Sequence, residues 1–179
     1  MPTENMTPIW AWRHPRPQGA SGRCVGAGTD LAVHWRRAKR LARRIQQQAR
    51  RARLPHCVYT STLRRSADVG VWLRRWGWRH VRCAELIEMN FGSWDGQPWS
   101  AIAQAEVDSW VADFARHAPG GGESLAALLA RAAAWSPPDP CLLVGHGGWM
   151  LARRWGLQPA PDAAQWPLAP AYGQLWRLD

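Results

Sequence analysis

The chain has 179 residues, of which 46% are hydrophobic, and a formal net charge of +10. This length predicts one domain with a single substantial core, and no apolar stretch reaches the roughly 18 to 20 residues that a membrane-spanning helix needs. The segment from Met1 to Thr7 has neither a basic cluster nor an apolar stretch, so we expect no secretory signal and a cytoplasmic location.

Strands and helices are predicted to alternate along the first half of the chain. The predicted order is a strand at 8–12, a loop at 13–30, a helix at about 33–53, a strand at 57–60, a helix at 62–76 and a strand at 80–84. Such alternation is typical of βαβ units in a parallel sheet. The predicted fold class is therefore α/β, a three-layer α/β/α sandwich with a mostly parallel central sheet.

Much of the positive charge lies in the helix predicted at about 33–53. Apolar residues recur there at helical intervals, which predicts an amphipathic helix with its apolar stripe on the core and a solvated basic face; these residues are Ala38, Leu41, Ala42, Ile45, Ala49 and Ala52. The alternative is a catalytically inactive module that binds nucleic acid. Because the sequence has no helix-turn-helix or RNA-binding signature, we expect no nucleic-acid partner.

The second half of the chain contains further helices and two more strands. The elements predicted there are a helical region within 87–116, a helix from Leu125 to about Trp135, a strand at 141–145, a helix from Trp149 to Trp155 and an edge strand at 173–178. The prolines at 137, 138 and 140 are expected to end the helix before the strand.

The cysteines do not indicate a metal site or a disulfide framework. No Cys-x-x-Cys pair and no histidine at ligand spacing accompanies them; they are Cys24, Cys57, Cys83 and Cys141. We therefore predict neither a bound metal nor a cofactor. The chain also has 14 tryptophans, most of which we assign to core packing.

Two histidines follow predicted strands directly. Arg13-His14 comes after the first strand, and His146 comes after the strand at 141–145. In open α/β sheets, ligands bind at the carboxyl ends of the strands. A neutral imidazole is populated near neutral pH and can attack phosphorus or carbon. The sequence therefore predicts a site at this edge of the sheet.

The other groups that attack on a phosphate ester requires are also present. With His14 as nucleophile, Arg13 and Arg65 could hold the phosphoryl oxygens, because a guanidinium offers bidentate donors that stay charged. Arg65 is expected in the first turn of the helix that follows the strand at 57–60.

Three further positions complete this hypothesis. His146 would add a donor, and the amides of Gly147 and Gly148 at a helix start would approach the anion. Glu88 would protonate the leaving group and then activate water.

In this order, these segments resemble the histidine phosphatase superfamily, also called the phosphoglycerate mutase-like family. The resemblance runs from Ile9 to about Leu151, with a weaker match at Tyr172-Gly173. The segments that carry it are Arg13-His14, Gly22-Arg23-Cys24-Val25-Gly26 with Asp30, Ser61-Thr62-Leu63-Arg64-Arg65, Glu88-Met89-Asn90-Phe91-Gly92-Ser93-Trp94-Asp95-Gly96, Gly121-Gly122-Glu123-Ser124 and His146-Gly147-Gly148.

The resemblance implies specific roles for the site residues. It implies a phosphohistidine at His14, a phosphoryl group bound by Arg13, Arg65 and His146, and proton transfer by Glu88. It also implies one histidine phosphatase domain over residues 1–179, with a helical lid insertion at about 88–124.

Within the superfamily, the chain is most similar to the α-ribazole phosphatases of cobalamin biosynthesis. The implied substrate is α-ribazole 5′-phosphate or adenosylcobalamin 5′-phosphate. Arg23 is a candidate substrate-binding residue, and Trp94 and Trp99 are candidates for stacking on the base, as is Trp110. The chain differs from most members at Pro15, where glycine is usual, at Thr62, where proline is frequent, and in the loop at 27–28.

Other enzymes of the superfamily remain as alternatives. The substrate could be another small phosphate ester or a phosphoprotein. The 35 or so residues between Glu88 and Ser124 favour a small substrate. We do not expect mutase activity, because the chain has no room for the insertions that retain a bisphosphorylated intermediate.

Overall fold

A computed structural model describes residues 9–136 and 140–178. In these ranges the strands are β1 (Ile9–Arg13), β2 (Cys57–Thr60), β3 (Arg79–Arg82), β4 (Leu142–Gly145) and β5 (Leu175–Leu178). The α-helices are α1 (Trp35–Arg51), α2 (Arg64–Arg75), α3 (Gln104–Ala112), α4 (Leu125–Ala134) and α5 (Gly147–Trp155). The sheet order is β3-β2-β4-β1-β5, and only the β1–β5 pairing among these strands is antiparallel.

Both faces of the sheet are covered by helices. Successive residues of a strand point to opposite faces, and β1 divides accordingly. Ile9 and Ala11 pack in the cluster that includes α4 and α5, whereas Trp10 and Trp12 pack in the cluster that includes α1 and α2. The predicted three-layer α/β/α sandwich with a mostly parallel sheet is confirmed.

Helix α1 is amphipathic, as its sequence pattern predicts. Its buried residues are Ala38, Leu41, Ala42, Ile45 and Ala49. Its arginines are exposed along most of its length. Burial of the apolar stripe against the sheet and α2 stabilises the helix, because it removes apolar surface from water.

The central region contains less helix than the sequence pattern predicts. It forms 3₁₀ turns at Gly92–Trp94 and Trp99–Ala101 before the nine-residue helix α3 begins. Gly92 and Gly96 have φ angles of 55° and 82°, which a regular helix does not allow. The helical pattern predicted through Trp99, Ile102, Val107, Trp110 and Phe114 is therefore only partly correct. Trp99–Ala101 forms a 3₁₀ turn, Ile102 is extended, and the α-helix covers Gln104–Ala112.

Two glycine-rich segments pack directly on one another. A Cβ at Gly92 would clash with the carbonyl oxygen of Gly120, and a Cβ at Gly122 would clash with that of Asn90. This close approach joins the segment after Glu88 to the start of α4, and it explains why both segments require glycine.

The other element boundaries lie within two residues of the predicted ones. The largest differences include α5, which begins at Gly147 instead of Trp149, and β5, which begins at Leu175 instead of Gly173. The predictions for residues 1–8 and 137–138 lie outside the described residues. Among the helices described, none is both long enough and apolar enough to cross a lipid bilayer.

Candidate active site

The register of the sheet places the two histidines side by side. Arg13 at the end of β1 pairs in parallel with Gly145 at the end of β4, and the next residues are His14 and His146. The backbone N–H of His14 donates to the carbonyl of Gly145 over 3.0 Å. The two imidazole centroids are 5.0 Å apart, at the carboxyl ends of neighbouring strands.

His14 is held as a neutral imidazole with a defined tautomer. Its Nδ1 lies 2.8 Å from the carbonyl oxygen of Pro15, which can only accept, so Nδ1 carries the proton and Nε2 has a free lone pair. Burial, and then the charge of Arg65, lower the pKa of His14 from 6.5 to about 3. Pro15, which cannot contribute an amide, thus contributes its carbonyl.

His146 and Arg13 each have a buried nitrogen without a hydrogen-bond partner among the described residues: Nδ1 of His146 and Nε of Arg13. Burying an unsatisfied N–H donor is costly, and a bound anion is a partner that such donors can bind. Gly147 leaves room for the Arg13 guanidinium, because a Cβ there would lie 3.1 Å from Cζ of Arg13.

The proton on His146 is set by Ser61, at the end of β2. Ser61 Oγ accepts the amide of Leu63 over 3.2 Å and lies 2.6 Å from Nε2 of His146. With the hydroxyl donating to Nε2, the imidazole proton resides on the unpartnered Nδ1. Burial, followed by the charges near it, lowers the pKa of His146 well below 6.5, so it acts as a neutral donor.

Arg65 lies in the first turn of α2, as predicted, and only 1% of it is exposed. Its guanidinium donates to the carbonyls of Thr29 and Gly26, over 2.6 and 2.9 Å. Asp30 in the same loop accepts the amide of Arg64, which fixes the start of the helix. The long loop after β1 therefore positions a cation beside His14. In agreement, the positive charge of Arg65 contributes to lowering the pKa of His14.

Asp95 holds that loop, and the sequence reasoning missed it. One carboxylate oxygen accepts the amide of Gly26 over 2.5 Å and the hydroxyl of Thr29 over 3.1 Å. The other accepts the amides of Gly28 and Phe91 over 3.0 and 3.1 Å. Asp95 thus fixes the two residues whose carbonyls bind Arg65. Its position inside a motif already singled out was the available signal.

We expect Asp95→Asn to weaken phosphate binding at least about tenfold, because the amide nitrogen would face at least one backbone N–H donor at either oxygen position and would loosen the loop that holds Arg65. The measurement is the inhibition constant of inorganic phosphate. Asp108→Asn, on the exposed face of α3, is the matched control. In an Arg65→Lys background the Asp95 effect should shrink; full additivity would contradict a role through Arg65.

Glu88 lies at the N-terminus of α5, and 8% of it is exposed. Its carboxylate accepts the amides of Gly148 and Trp149, over 3.1 and 3.2 Å, and that of Met89 over 3.0 Å. A Cβ at Gly148 would lie 2.5 Å from Glu88 Oε1, so the glycine permits this approach. The expectation that the Gly148 amide binds the substrate anion is wrong, because that amide already binds Glu88.

A narrow apolar cavity of about 130 Å³ opens beside Glu88. Its walls are mainly aromatic and aliphatic, and the aromatic residues among them are Phe91, Trp110, Phe114 and Trp166. The volume is comparable to the roughly 150 Å³ of an engineered cavity that holds benzene. The cavity is therefore large enough for one flat ring next to the carboxylate.

The remaining sequence candidates do not join this cluster of side chains. Trp94 is 2% exposed and packs with Cys24 and Ile102, so its ring has no free face for stacking. Trp99 is 43% exposed and packs edge-on against Phe91 and Trp94. Arg23 is exposed and donates to the carbonyl of Gly96.

The low pKa of His14 predicts the pH dependence of the reaction. A solvent-exposed histidine loses its lone pair as the pH falls through 6.5, whereas His14 keeps it until the pH approaches about 3. We expect kcat/KM, corrected for ionisation of the substrate, to show no acid limb near pH 6.5. An acid limb that persists near pH 6.5 after this correction would contradict the assignment.

Comparison with known proteins gives one family match that spans nearly all of the chain. The model of the histidine phosphatase superfamily, branch 1, matches residues 9–179. None of the proteins of curated function matches this sequence significantly.

Solved structures resemble the chain over most of its length. A mycobacterial glucosyl-3-phosphoglycerate phosphatase in complex with VO₃ has 25% identity and a TM-score of 0.76, over 97% of this chain and 91% of its own. A phosphoglycerate mutase from Thermus thermophilus has 25% identity and a TM-score of 0.69, over 97% and 99% of the two chains.

Proposed function

This chain belongs to the histidine phosphatase superfamily, and we propose that it is a metal-independent phosphomonoesterase that forms a phosphohistidine at His14 and hydrolyses α-ribazole 5′-phosphate. The observation that carries the phosphatase proposal is the neutral His14, with a free Nε2, beside unpartnered donors of Arg13 and His146. These observations support a nucleophile next to an anion site.

In the first step, the Nε2 lone pair of His14 attacks phosphorus and the bond to the leaving oxygen breaks. Arg13, Arg65 and the Nδ1–H of His146 stabilise the phosphoryl oxygens. Glu88 donates a proton to the departing alkoxide, which leaves as an alcohol. The products are a phosphohistidine and a Glu88 carboxylate.

In the second step, water attacks the phosphohistidine and the phosphorus–nitrogen bond breaks. The Glu88 carboxylate takes the proton from this water, and His14 recovers its lone pair. Inorganic phosphate leaves, and Glu88 is again protonated for the next turnover. The amides of Gly148 and Trp149 keep the carboxyl group oriented through both steps.

The substrate proposal rests on the aromatic cavity beside Glu88. A leaving group with a flat apolar ring fits walls formed by Phe91, Trp110 and Trp166 better than a sugar alone does. The benzimidazole of α-ribazole has two fused rings, one of which would enter the cavity. The segment at about 88–124, which supplies Phe91 and Trp110, would act as the lid over this part of the substrate.

Chain length does not separate a phosphatase from a mutase here. The Thermus structure described as a phosphoglycerate mutase is matched over 99% of its own chain. The expectation that this chain is too short for mutase activity therefore loses its basis, and the assay has to separate the two activities.

The deciding experiment is a panel of phosphate esters assayed with EDTA present. It contains α-ribazole 5′-phosphate, adenosylcobalamin 5′-phosphate, ribose 5-phosphate, glucosyl-3-phosphoglycerate and 3-phosphoglycerate, the last also assayed for isomerisation. We expect kcat/KM for α-ribazole 5′-phosphate to exceed that for ribose 5-phosphate at least about tenfold, since the ring adds buried apolar contacts. Equal values for this pair would refute the substrate proposal.

Trp110→Ala should remove this preference while leaving ribose 5-phosphate turnover nearly unchanged, because Trp110 lines the ring cavity and packs on the rings of other aromatic residues, Phe91, Trp94 and Phe114. Trp72→Ala, on α2, is the matched control, since that indole packs near Trp35 and Trp76. Equal losses for both substrates in Trp110→Ala would place the ring elsewhere.

A further inference from the structure

A second cavity, of about 370 Å³, lies between α1 and the loops that follow His14 and precede β5. Its charged wall consists of Arg37, Arg40 and Arg44 on the helix and Arg16 on the facing loop. Pro15 and Tyr172 line it as well. The phosphoryl transfer proposed above involves none of these four guanidinium groups.

Helix periodicity explains how three of these arginines share one wall. Residues 37, 40 and 44 are spaced at i, i+3 and i+7, so they lie on one stripe of α1. The fourth comes from the opposite side, where Arg37 donates to the carbonyl of Arg16 over 3.4 Å. The helix and the loop are thereby joined across the cavity.

Nothing in the described part of the chain neutralises this charge. Among residues 9–136 and 140–178, no carboxylate oxygen lies within 4.0 Å of a nitrogen of these four side chains. Like charges at helical spacing repel one another and destabilise a helix. A bound oxyanion reverses this effect, since guanidinium groups form bidentate hydrogen bonds to phosphate and carboxylate.

The cavity adjoins the catalytic histidine. Tyr172 forms part of its wall, and the ring centroid of Tyr172 is 5.6 Å from that of His14. The same ring lies 4.1 Å from Cζ of Arg13 and 5.9 Å from Cζ of Arg16. One aromatic side chain therefore contacts both the phosphoryl site and the arginine-lined cavity.

We propose that the cavity formed by Arg16, Arg37, Arg40, Arg44, Pro15 and Tyr172 is a second anion site, which binds a phosphate or carboxylate group separate from the phosphoryl group at His14. The anion is either a second charged group of the substrate or a free oxyanion. α-Ribazole 5′-phosphate has a single phosphate, so with that substrate the site holds a free anion.

Equilibrium dialysis of the full chain with radiolabelled inorganic phosphate at low ionic strength tests the site. We expect Arg40→Gln/Arg44→Gln to bind one phosphate fewer per chain than the unmodified protein. The matched control is Arg43→Gln/Arg50→Gln, which removes the same charge from exposed positions of α1 outside this cavity. It should bind as much phosphate as the unmodified protein.

A kinetic comparison then identifies the source of the anion. If the anion is part of the substrate, Arg40→Gln/Arg44→Gln raises KM for ribose 1,5-bisphosphate about tenfold and leaves KM for ribose 5-phosphate unchanged. If the anion is free, neither KM changes in phosphate-free buffer. This comparison rests on the phosphatase activity proposed above, whereas the dialysis does not.

The dialysis result alone decides whether the site exists. The proposal is overturned if Arg40→Gln/Arg44→Gln binds as much phosphate as the unmodified protein, or if the control pair loses as much. All of the substituted arginines are exposed on the surface of α1, so circular dichroism and Tm should show that both variants fold.

Discussion

His14→Ala is expected to abolish turnover, lowering kcat/KM for p-nitrophenyl phosphate by at least about 10⁴-fold with EDTA present. The reason is that Nε2 of His14 carries the lone pair that attacks phosphorus. The Pro15 carbonyl fixes the imidazole proton on Nδ1. Among the described residues, no other histidine lies at the end of β1. Arg13 and Arg65 would still bind phosphate in the variant.

Two measurements separate loss of the nucleophile from loss of the fold. Brief reaction with a ³²P-labelled substrate should leave an acid-labile, base-stable label on the unmodified protein and none on His14→Ala. His56 is an exposed histidine just before β2, at the opposite end of the strands, so His56→Ala should retain activity and label. Substantial turnover by His14→Ala would rule out a histidine nucleophile at this position.

Glu88→Gln is expected to produce a loss that depends on the leaving group. For ribose 5-phosphate, whose alkoxide needs a proton, kcat should fall about 10²- to 10⁴-fold. For p-nitrophenyl phosphate, whose leaving group is stable as an anion, formation of the phosphohistidine should slow far less. The single-turnover rate of p-nitrophenolate release isolates this first step from the later attack of water.

Glu85→Gln is the matched control, since Glu85 is an exposed carboxylate three residues earlier. It should change neither rate. In Glu88→Gln, an amide nitrogen replaces one oxygen that accepts from Gly148 or Trp149, so Tm is measured in parallel. Equal losses of single-turnover rate for both leaving groups would mean that Glu88 does not act as the acid.

The elements of this fold were predictable because their sequence patterns are local. The continuous apolar run of β1 and the apolar stripe of α1 each depend on residues a few positions apart, and both elements lie within two residues of their predicted bounds. The turns at Gly92 and Gly96 were missed, since their left-handed conformations serve contacts with distant segments such as Gly120.

The site was predictable in part for the same reason. His14, Arg65 and His146 each follow a strand, and neighbouring parallel strands end at one edge of a sheet. Asp95 was not predicted as a functional residue, because its role depends on a loop nearly 70 residues away in the sequence. Trp94 was assigned to the ligand because composition does not distinguish a buried indole from a stacking one.

The sequence by itself determined the α/β class, the order of the elements and the residues suited to phosphoryl chemistry, because strand periodicity, helix periodicity and side-chain chemistry are properties of short segments. The tertiary structure alone decided which of those residues meet, which tautomer His14 adopts and how Glu88 uses the amides of α5. These depend on strand register, burial and close glycine contacts, which arise only when distant segments pack together.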